Sequence, residues 1–513
     1  MIDRILTVGG YTLVSRVTGF LRDVAMAAVL GAGPVADAFL VAFRLPNHFR
    51  AIFAEGAFAA AFVPAYARIR EQQGADPVRL FADRIFTLLI ASQMVLLVVA
   101  LVFTPAVIRV LAPGFESDPG RFALAVTLTR VTFPYLLAMT LVSLYGGMLN
   151  ALDRFAAAAA APVLLNLSMM ATLALAVLFP SAGHAAAWGV LLAGVLEVAL
   201  LGGATARLGE LPRPRRLVWD ADVKRFFAAL GPATIGSGGV QLALFADTII
   251  ASFLPVGAIS ALYYADRLNQ LPIGVIGIAV GTVLLPEMSR RIAEGDADGA
   301  RTAQSRAIEF TLLLSLPCVV AYLIVPDLIL RALFARGAFT AADAAAAGAT
   351  LAAYALGLVP FVLIRSMVAM FFARGDTATP VKAALIAVPV NIAFKILLMG
   401  PLAQVGLALA TAIGAWINFA LVLWFGVRAV GKLAAAAAAL ALVLWVGQGP
   451  ALATFAGWGR WRDLAGLVLL AAAGAVVYAG VVLALFGRQW LAQLRRRRAA
   501  ADKPLPAAEV PLE

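Results

Sequence analysis

The chain has 513 residues, of which 63% are hydrophobic and only 13% carry a charged side chain. A soluble domain is about half apolar and about a quarter charged, so this composition excludes an ordinary soluble protein. In a bilayer every backbone polar group must be paired internally, and apolar runs of about twenty residues predict helices rather than barrel strands. The formal charge of +12 is therefore expected in cytoplasmic loops, and no nucleic-acid partner is expected.

The predicted fold class is an all-α polytopic membrane protein with fourteen spans. In chain order they cover residues 5–30, 34–65, 80–110, 122–150, 156–180, 184–207, 222–254, 257–289, 304–333, 343–373, 378–400, 403–427, 432–449 and 463–487. With the N-terminus inside, most Lys and Arg residues fall in inner loops, and the outer loops contain only Arg109, Arg121, Arg331, Arg336, Arg460 and Arg462. This asymmetry predicts that both termini are cytoplasmic. The N-terminus lacks a short apolar core followed by a small-residue cleavage site, so no cleaved signal peptide is expected and the first span itself is expected to be the targeting signal.

The two halves of the chain repeat one another. A shift of about 224 residues places, among others, Asp23 on Asp247, Leu30 on Leu254 and Gly33 on Gly257. Six spans separate the copies, so both run in the same direction, as in two-lobed transporters with a central site. The predicted domains are an N-lobe at 1–215, a C-lobe at 216–430, two additional helices at 431–490, and a basic, then disordered cytoplasmic tail at 491–513.

Charged residues inside the predicted spans point to function, because a charge in the membrane interior is costly. The first, second and eighth spans contain the candidate substrate cavity residues Arg16, Arg22, Asp37, Arg44, Arg50, Glu55, Asp266 and Arg267. The planar guanidinium of Arg suits bidentate contacts with phosphate, so the set predicts a cationic central cavity that attracts a pyrophosphate. The alternative is that Arg22 with Asp23, and Arg50 with Glu55, form structural ion pairs or reach towards the interface.

A second set of polar residues predicts a possible ion site in the second half. It consists of Asp247, Asn391, Lys395 and Thr411. Asn391 and Lys395 are four residues apart, on one helix face; alternatively, Lys395 extends to the interface. The expected coupling is to the membrane potential, H⁺ or Na⁺, without an organic cofactor.

Catalytic motifs are missing from the sequence. Cys318, His48 and His184 are the only thiol and imidazole groups, so no disulfide and no catalytic metal centre are expected. No Walker A pattern is present, so the chain is not expected to hydrolyse ATP. A transporter rather than an enzyme is predicted.

An ordered series of motifs resembles the MurJ (MviN) family of lipid II flippases, within the multidrug/oligosaccharidyl-lipid/polysaccharide exporter superfamily. In the first part of the chain these are Ser15-Arg16-Val17, Gly19-Phe20, Arg22-Asp23, Gly31-Ala32-Gly33, Asp37-Ala38-Phe39, Arg44-Leu45-Pro46-Asn47 and residues 52–58. Further along they are Ala112-Pro113-Gly114-Phe115, Phe133-Pro134-Tyr135, residues 263–268 and Leu284-Leu285-Pro286. The resemblance extends through the last predicted span.

The resemblance implies two six-helix lobes around a cationic cavity, with two extra helices that form a groove for a polyprenyl tail. It implies that the chain moves lipid II, an undecaprenyl-pyrophosphate-linked disaccharide-peptide, outward across the bacterial inner membrane for cell-wall synthesis by alternating access. It assigns functional roles to Arg16, Arg22, Arg50, Arg267 and the cavity aspartate Asp37. A monomer is expected, with membrane lipids and the cell-wall synthesis machinery as candidate partners.

The resemblance also bears on the possible ion site. Some relatives bind sodium through acidic and amide groups and a threonine that match Asp247, Asn391 and Thr411. Lys395 stands where those relatives have an acid, and an ammonium at that position would replace the ion.

Three other functions remain open on the sequence. An exporter of another polyprenyl-pyrophosphate-linked glycan, or of a drug, would share the fold, although the arginines argue against cationic drugs. A membrane enzyme acting on the lipid precursor would need larger loops than these. A scaffold of the cell-wall machinery would not need charged residues inside its spans.

Overall fold

The computed structural model describes residues 2–53, 57–216, 218–279, 285–294, 296–373 and 376–426, and seven positions between 454 and 480. Within these ranges the chain forms α-helices and two short 3-10 turns, with no strand. The helices are α1 (Ile2–Leu30), α2 (Pro34–Phe53), α3 (Ala57–Gln73), α4 (Ala75–Val102), α5 (Thr104–Leu111), α6 (Pro119–Thr132), α7 (Tyr135–Ala151), α8 (Phe155–Ala174), α9 (Ala182–Arg207), α10 (Ala221–Ser252), α11 (Ala258–Ala279), α12 (Leu285–Ala293), α13 (Ala297–Ile324), α14 (Pro326–Phe334), α15 (Ala341–Ala373) and α16 (Ala378–Gly426). Apart from those seven positions, the spans predicted at 432–449 and 463–487 and the tail at 491–513 lie outside the described residues.

The predicted all-helical, multi-pass membrane architecture is confirmed. Among the described residues, seven segments are long and apolar enough to cross a membrane: Ala75–Val102, Pro119–Ala151, Phe155–Ala174, Ala182–Arg207, Thr302–Ile324, Ala341–Phe372 and Ala378–Trp424. Large apolar side chains lie on their outer surfaces, for example Val95, Val195 and Leu313 at 65%, 58% and 69% exposure. Such broad apolar exposure is rare in a soluble monomer and is typical of a surface that faces lipid.

Several spans predicted as single helices are divided in the structure. The span predicted at 80–110 becomes α4 and α5, that at 122–150 becomes α6 and α7, and that at 304–333 becomes α13 and α14. Each division falls beside a proline, at Pro105, Pro134 or Pro326. Proline lacks the amide hydrogen that would continue the helix and its ring collides with the preceding turn, so the helix ends there.

Helix α16 shows the opposite behaviour. The spans predicted at 378–400 and 403–427 follow one another in a single helical stretch whose backbone is non-helical only at Ala403 (φ 46°, ψ −127°). Pro401 lies two residues before this break. The two predicted spans are therefore two segments of α16 joined by a sharp bend.

Helices α1–α9 form the N-terminal half of the chain and α10–α16 the C-terminal half. The two halves are in contact at the turn between α1 and α2. The Ala338 amide donates to the carbonyl of Ala28 (2.8 Å). Gly31 has a positive φ of 68°, and a Cβ added there would lie only 2.6 Å from the Ala338 carbonyl oxygen. Only glycine fits this backbone conformation and this approach. Nearby, the amide of Gly114 donates to the Ser252 hydroxyl (3.0 Å), so the halves are in backbone contact at this end.

The N-terminal end of α10 packs against helices of the N-terminal half. Asp220 caps α10 by accepting from the Val223 amide (2.8 Å), which satisfies an otherwise unpaired donor of the first turn. Phe226, one turn further, is 1% exposed. Its ring packs edge-on against Phe58 and Phe62 at centroid distances of 5.8 and 6.3 Å. Helix α10 thus begins within the first half and ends in the contact with Gly114.

Candidate functional site

A cavity of about 880 Å³ lies between the two halves. Its walls come from α1–α3 and α7–α9 on one side and from α11 and α15 on the other. The charged side chains that line it are Arg16, Arg22, Asp23, Glu197, Asp266, Arg267 and Arg365. Four of the eight residues predicted for a cavity from the sequence are therefore brought together here: Arg16, Arg22, Asp266 and Arg267.

Arg22 and Asp23 form a buried pair at the wall of this cavity, 7% and 4% exposed. The Arg22 guanidinium donates to one Asp23 carboxylate oxygen from Nε (3.1 Å) and Nη2 (2.7 Å). A further N–H donates to the Asn166 side-chain oxygen (3.1 Å). Arg22 and Asp23 therefore form an ion pair, as the alternative interpretation of the sequence proposed. The pair is buried in the protein interior, however, and does not lie at the end of a span.

Asp23 also links α1 to α11 across the cavity. The Tyr263 hydroxyl donates to the Asp23 carboxylate (2.9 Å), and Arg267 Nε lies 3.5 Å from its other oxygen. The Arg267 guanidinium sits 4.7 Å from the centre of the Tyr263 ring, a favourable cation–π arrangement. Because the Arg267 side chain remains 38% exposed, it can still contact a bound anion.

Two glycines of α11 make room for two further arginines. A Cβ placed at Gly274 would collide with the Arg16 guanidinium, and one at Gly277 would collide with that of Arg365. Residues three apart lie on one face of a helix, so both cations rest along the same side of α11. Arg16 and Arg365 are otherwise exposed within the cavity, which leaves their donors accessible to an anion.

Asp37 does not lie in this cavity, contrary to the sequence prediction. It is fully buried at the contact between the halves, where it accepts from the amides of Gly257 (2.7 Å) and Ser260 (3.0 Å) and from the Ser260 hydroxyl (2.6 Å). It thereby caps the N-terminus of α11, where a carboxylate is favoured by the unpaired amides and the helix dipole. Arg121 adds an ion pair at 3.6 Å.

Arg44 faces a second, adjoining pocket of about 350 Å³. Arg44 and Asp37 share a face of α2, but seven residues separate them by about 10 Å along the helix axis. The same face therefore reaches two different sites. Arg44 donates to the Thr248 hydroxyl of α10 (2.9 Å). The Arg50 side chain and all of Glu55 lie outside the described residues.

The second pocket contains three of the four residues predicted for an ion site, Asp247, Lys395 and Thr411. The Lys395 ammonium donates to the Asp247 carboxylate. Lys395 is only 4% exposed. It does not extend to the membrane interface, so that alternative is wrong.

The fourth residue, Asn391, does not line the pocket. The Asn391 side-chain amide donates to the backbone carbonyl of Ala410 (2.8 Å). The Thr411 hydroxyl likewise donates to a backbone carbonyl, that of Leu407 (2.9 Å). Hard cations take oxygen ligands, whereas the Lys395 ammonium is a donor with no acceptor lone pair. The residues present at this position therefore do not fit a sodium site.

Residues 26–487 match the family model for "Lipid II flippase MurJ". The chain belongs to the MurJ lipid II flippase family. Its MurJ relatives include "Probable lipid II flippase MurJ" of Rhizobium meliloti, 42% identical over 463 residues, 87% of this chain and 86% of that protein. "Probable lipid II flippase MurJ" of Rhizobium tropici is 44% identical over 423 residues, 82% of this chain and 79% of that protein. "Lipid II flippase MurJ" of Burkholderia cenocepacia is 36% identical over 429 residues, 83% of each.

Solved structures show the same fold. A MurJ structure described as "Lipid II flippase MurJ, inward closed conformation" superposes with a TM-score of 0.72 at 23% identity, covering 94% of this chain and 99% of that one. A multidrug transporter of the MATE family in an inward-facing conformation gives a TM-score of 0.65 at 15% identity, covering 80% and 93%. The MurJ fold of this chain is thus shared with the wider exporter superfamily.

Two charged residues of this MurJ cavity were not singled out from the sequence. Arg365 lies in the span predicted at 343–373, and Glu197, 3% exposed, lies in that predicted at 184–207. Each was a signal, because it is a lone charge well inside a long apolar span. Arg16 and Arg22 belong to a cluster of charges in one span, and such a cluster is a stronger signal than a single charge.

Proposed function

We propose that this chain is a lipid II flippase, which moves the undecaprenyl-pyrophosphate-linked disaccharide-peptide from the inner to the outer leaflet of the cytoplasmic membrane for cell-wall synthesis. The observation that carries the proposal is the 880 Å³ cavity between the halves, to which both halves contribute arginines, in a member of the MurJ family. A cavity of this size and charge suits a sugar-pyrophosphate headgroup better than a cationic drug.

Arg16 and Arg365, which are exposed in the cavity, and Arg267, which is partly exposed, are the groups that would bind the pyrophosphate. A hydrogen bond to a charged group contributes about 1.5–3 kcal/mol, so several guanidiniums can offset the dehydration of the phosphates as they enter the cavity. Arg22 has a different task, because Asp23 and Asn166 already occupy its donors. It holds Asp23 in place, and Asp23 in turn positions Arg267.

The proposed transport cycle is alternating access. With both termini in the cytoplasm, as the distribution of basic residues favours, the contact between Asp37 and α11 lies at the outer end. The cavity then receives the headgroup from the cytoplasmic side, and the contact must break before the headgroup is released outside. The proposed organisation is fourteen spans, in lobes at 1–215 and 216–430, with the polyprenyl tail held along residues 431–490.

The driving force follows from the charge of the cargo. An inside-negative membrane potential favours outward movement of a negative charge by about 2.3 kcal/mol per 100 mV. The arginines remain in the protein, so the pyrophosphate moves without carrying them to the outer leaflet. This supplies a direction for transport without an organic cofactor.

The test is depletion of the protein in its own host, followed by measurement of the leaflet in which lipid II accumulates. We expect lipid II to remain in the inner leaflet and the cells to lyse, with rescue by wild type but not by the Arg16→Ala, Arg267→Ala double variant. Arg109→Ala is the matched control, because Arg109 is 61% exposed and pairs with Glu116 away from the cavity. Unchanged lipid II export on depletion would mean that another polyprenyl-pyrophosphate glycan is the cargo.

A further inference from the structure

Lys395 is a buried ammonium in the part of α16 that precedes the bend at Ala403. Its nearest sequence neighbours are apolar, in the stretch Ile392-Ala393-Phe394-Lys395-Ile396-Leu397. An ammonium without a partner in such surroundings is strongly unfavourable. The carboxylate of Asp247 on α10 provides the partner. The pair therefore joins α10 to α16 inside the C-terminal half.

The internal repeat gives this pair a counterpart in the first half. Asp247 is the residue onto which Asp23 falls when the sequence is shifted by 224 positions. The Asp23 carboxylate is paired with the guanidiniums of Arg22 and Arg267. Each half thus places an acid at the same position of the repeat, and each acid is paired with at least one side-chain cation.

The charges around the second pocket oppose a further cation. Its lining includes three basic groups and two carboxylates: Arg44, Arg267, Lys395, Asp247 and Asp266. A metal ion added there would increase an existing excess of positive charge, and like charges repel one another. The carboxylate that would attract it, Asp247, is already bonded to the Lys395 ammonium.

From this geometry we infer that the ε-ammonium of Lys395 is a tethered cation that takes the place of a bound metal ion, and that this chain binds no Na⁺ in its C-terminal half. Unlike a metal ion, the ammonium cannot leave, so the link between α10 and α16 is independent of the Na⁺ concentration. A sodium gradient then has no site at Asp247 and Lys395 through which to act. The inference does not depend on the identity of the cargo.

The test measures thermal unfolding of the purified full-length protein during titration with NaCl, against choline chloride at equal ionic strength. We expect the Tm of wild type to be the same in both salts. Lys395→Asp exchanges the ammonium for a carboxylate beside Asp247, and should acquire a saturable rise in Tm with Na⁺ alone. Lys382→Asp is the matched control, because it makes the same charge change at an exposed position of α16 and should show no specific response.

Each outcome decides the inference. A saturable, Na⁺-specific rise in the Tm of wild type would overturn it, because the site would then hold a metal ion despite Lys395. A folded Lys395→Asp protein without a Na⁺ response would also overturn it, since the ammonium would not occupy a cation position. Should that variant fail to fold, Lys395→Asn removes the ammonium while keeping an oxygen ligand, and the same gain of Na⁺ response is expected. Because the readout is Na⁺ binding, failure of the lipid II assay would leave this inference standing.

Discussion

Substituting Asp37 by Asn is expected to open the end of the protein at which the two halves meet. Asp37 lies on α2, and the groups that donate to it, the amides of Gly257 and Ser260 and the Ser260 hydroxyl, belong to the C-terminal half. Asparagine has the same shape, but it is neutral and presents an NH₂ group where the carboxylate had an oxygen. That NH₂ group would face an amide N–H, which it cannot accept from.

The size of the effect follows from these contacts. A hydrogen bond to a charged group contributes about 1.5–3 kcal/mol, and the variant loses at least one such bond and the charge that the helix N-terminus favours. We therefore expect a loss of about 3 kcal/mol. These contacts require the two halves to be together at this end, so the loss acts on the equilibrium between closed and open states. At 1.4 kcal/mol for each factor of ten, the equilibrium shifts by about 150-fold.

Distance measurements between spin labels would detect this shift. Ser117 and Ala342 are exposed, lie at this end and belong to different halves, so labels at these two positions report on opening. Cys318 is the only native cysteine, and Cys318→Ser removes it. A closed state that exceeds the open state about a hundredfold would become the minority after a 150-fold shift. Wild type should then show one short distance, and Asp37→Asn both distances, with the longer one in slight excess.

Asp343→Asn is the matched control for this experiment. Asp343 is also an acid near this end, but it accepts from Thr340, the residue just before its own helix α15. Its substitution should leave the distance distribution unchanged. An unchanged distribution in a folded Asp37→Asn protein would refute the reasoning, because the contact would then contribute little to closure.

Two further substitutions test the cavity. Gly274→Val should abolish lipid II export while the protein still inserts in the membrane, because the added side chain displaces the Arg16 guanidinium; Gly203→Val, in open space on α9, should export normally. Asp23→Asn should lower the free energy of unfolding by about 3 kcal/mol, since it leaves the Arg22 guanidinium buried without its carboxylate, and an unchanged unfolding midpoint in denaturant would contradict this.

The helices were largely predictable from the sequence, and their divisions were less so. Apolar length identifies a span because backbone groups in lipid must be paired within a helix. It does not identify where a span is divided, because Pro134 ends a helix whereas Pro46 and Pro317 lie inside continuous ones. Whether a helix tolerates a proline depends on neighbouring groups that re-pair the freed carbonyl, and these come from other parts of the chain.

The cavity residues were predictable where charges cluster, as at Arg16 and Arg22, because a helix with several charges cannot face lipid. The depth at which each residue lies was not predictable. Helical periodicity correctly places Asp37 and Arg44 on one face of α2, but one faces α11 at the contact between the halves and the other faces a pocket beside the cavity. The tertiary arrangement of the halves decides which site each residue reaches.

The two halves pair the equivalent acids of the repeat, Asp23 and Asp247, with different cations. Asp23 and Asp247 hold equivalent positions, yet the cations beside Asp23 include Arg267 from the opposite half, whereas Lys395 comes from the same half as Asp247. A pair that crosses between the halves must rearrange if the halves separate at this level; a pair within one half need not. We therefore expect the Asp23 cluster to change during transport and the Asp247–Lys395 pair to persist. This places the moving charges at the cavity wall, next to the arginines that would bind the pyrophosphate, and leaves the Asp247–Lys395 pair as a fixed element.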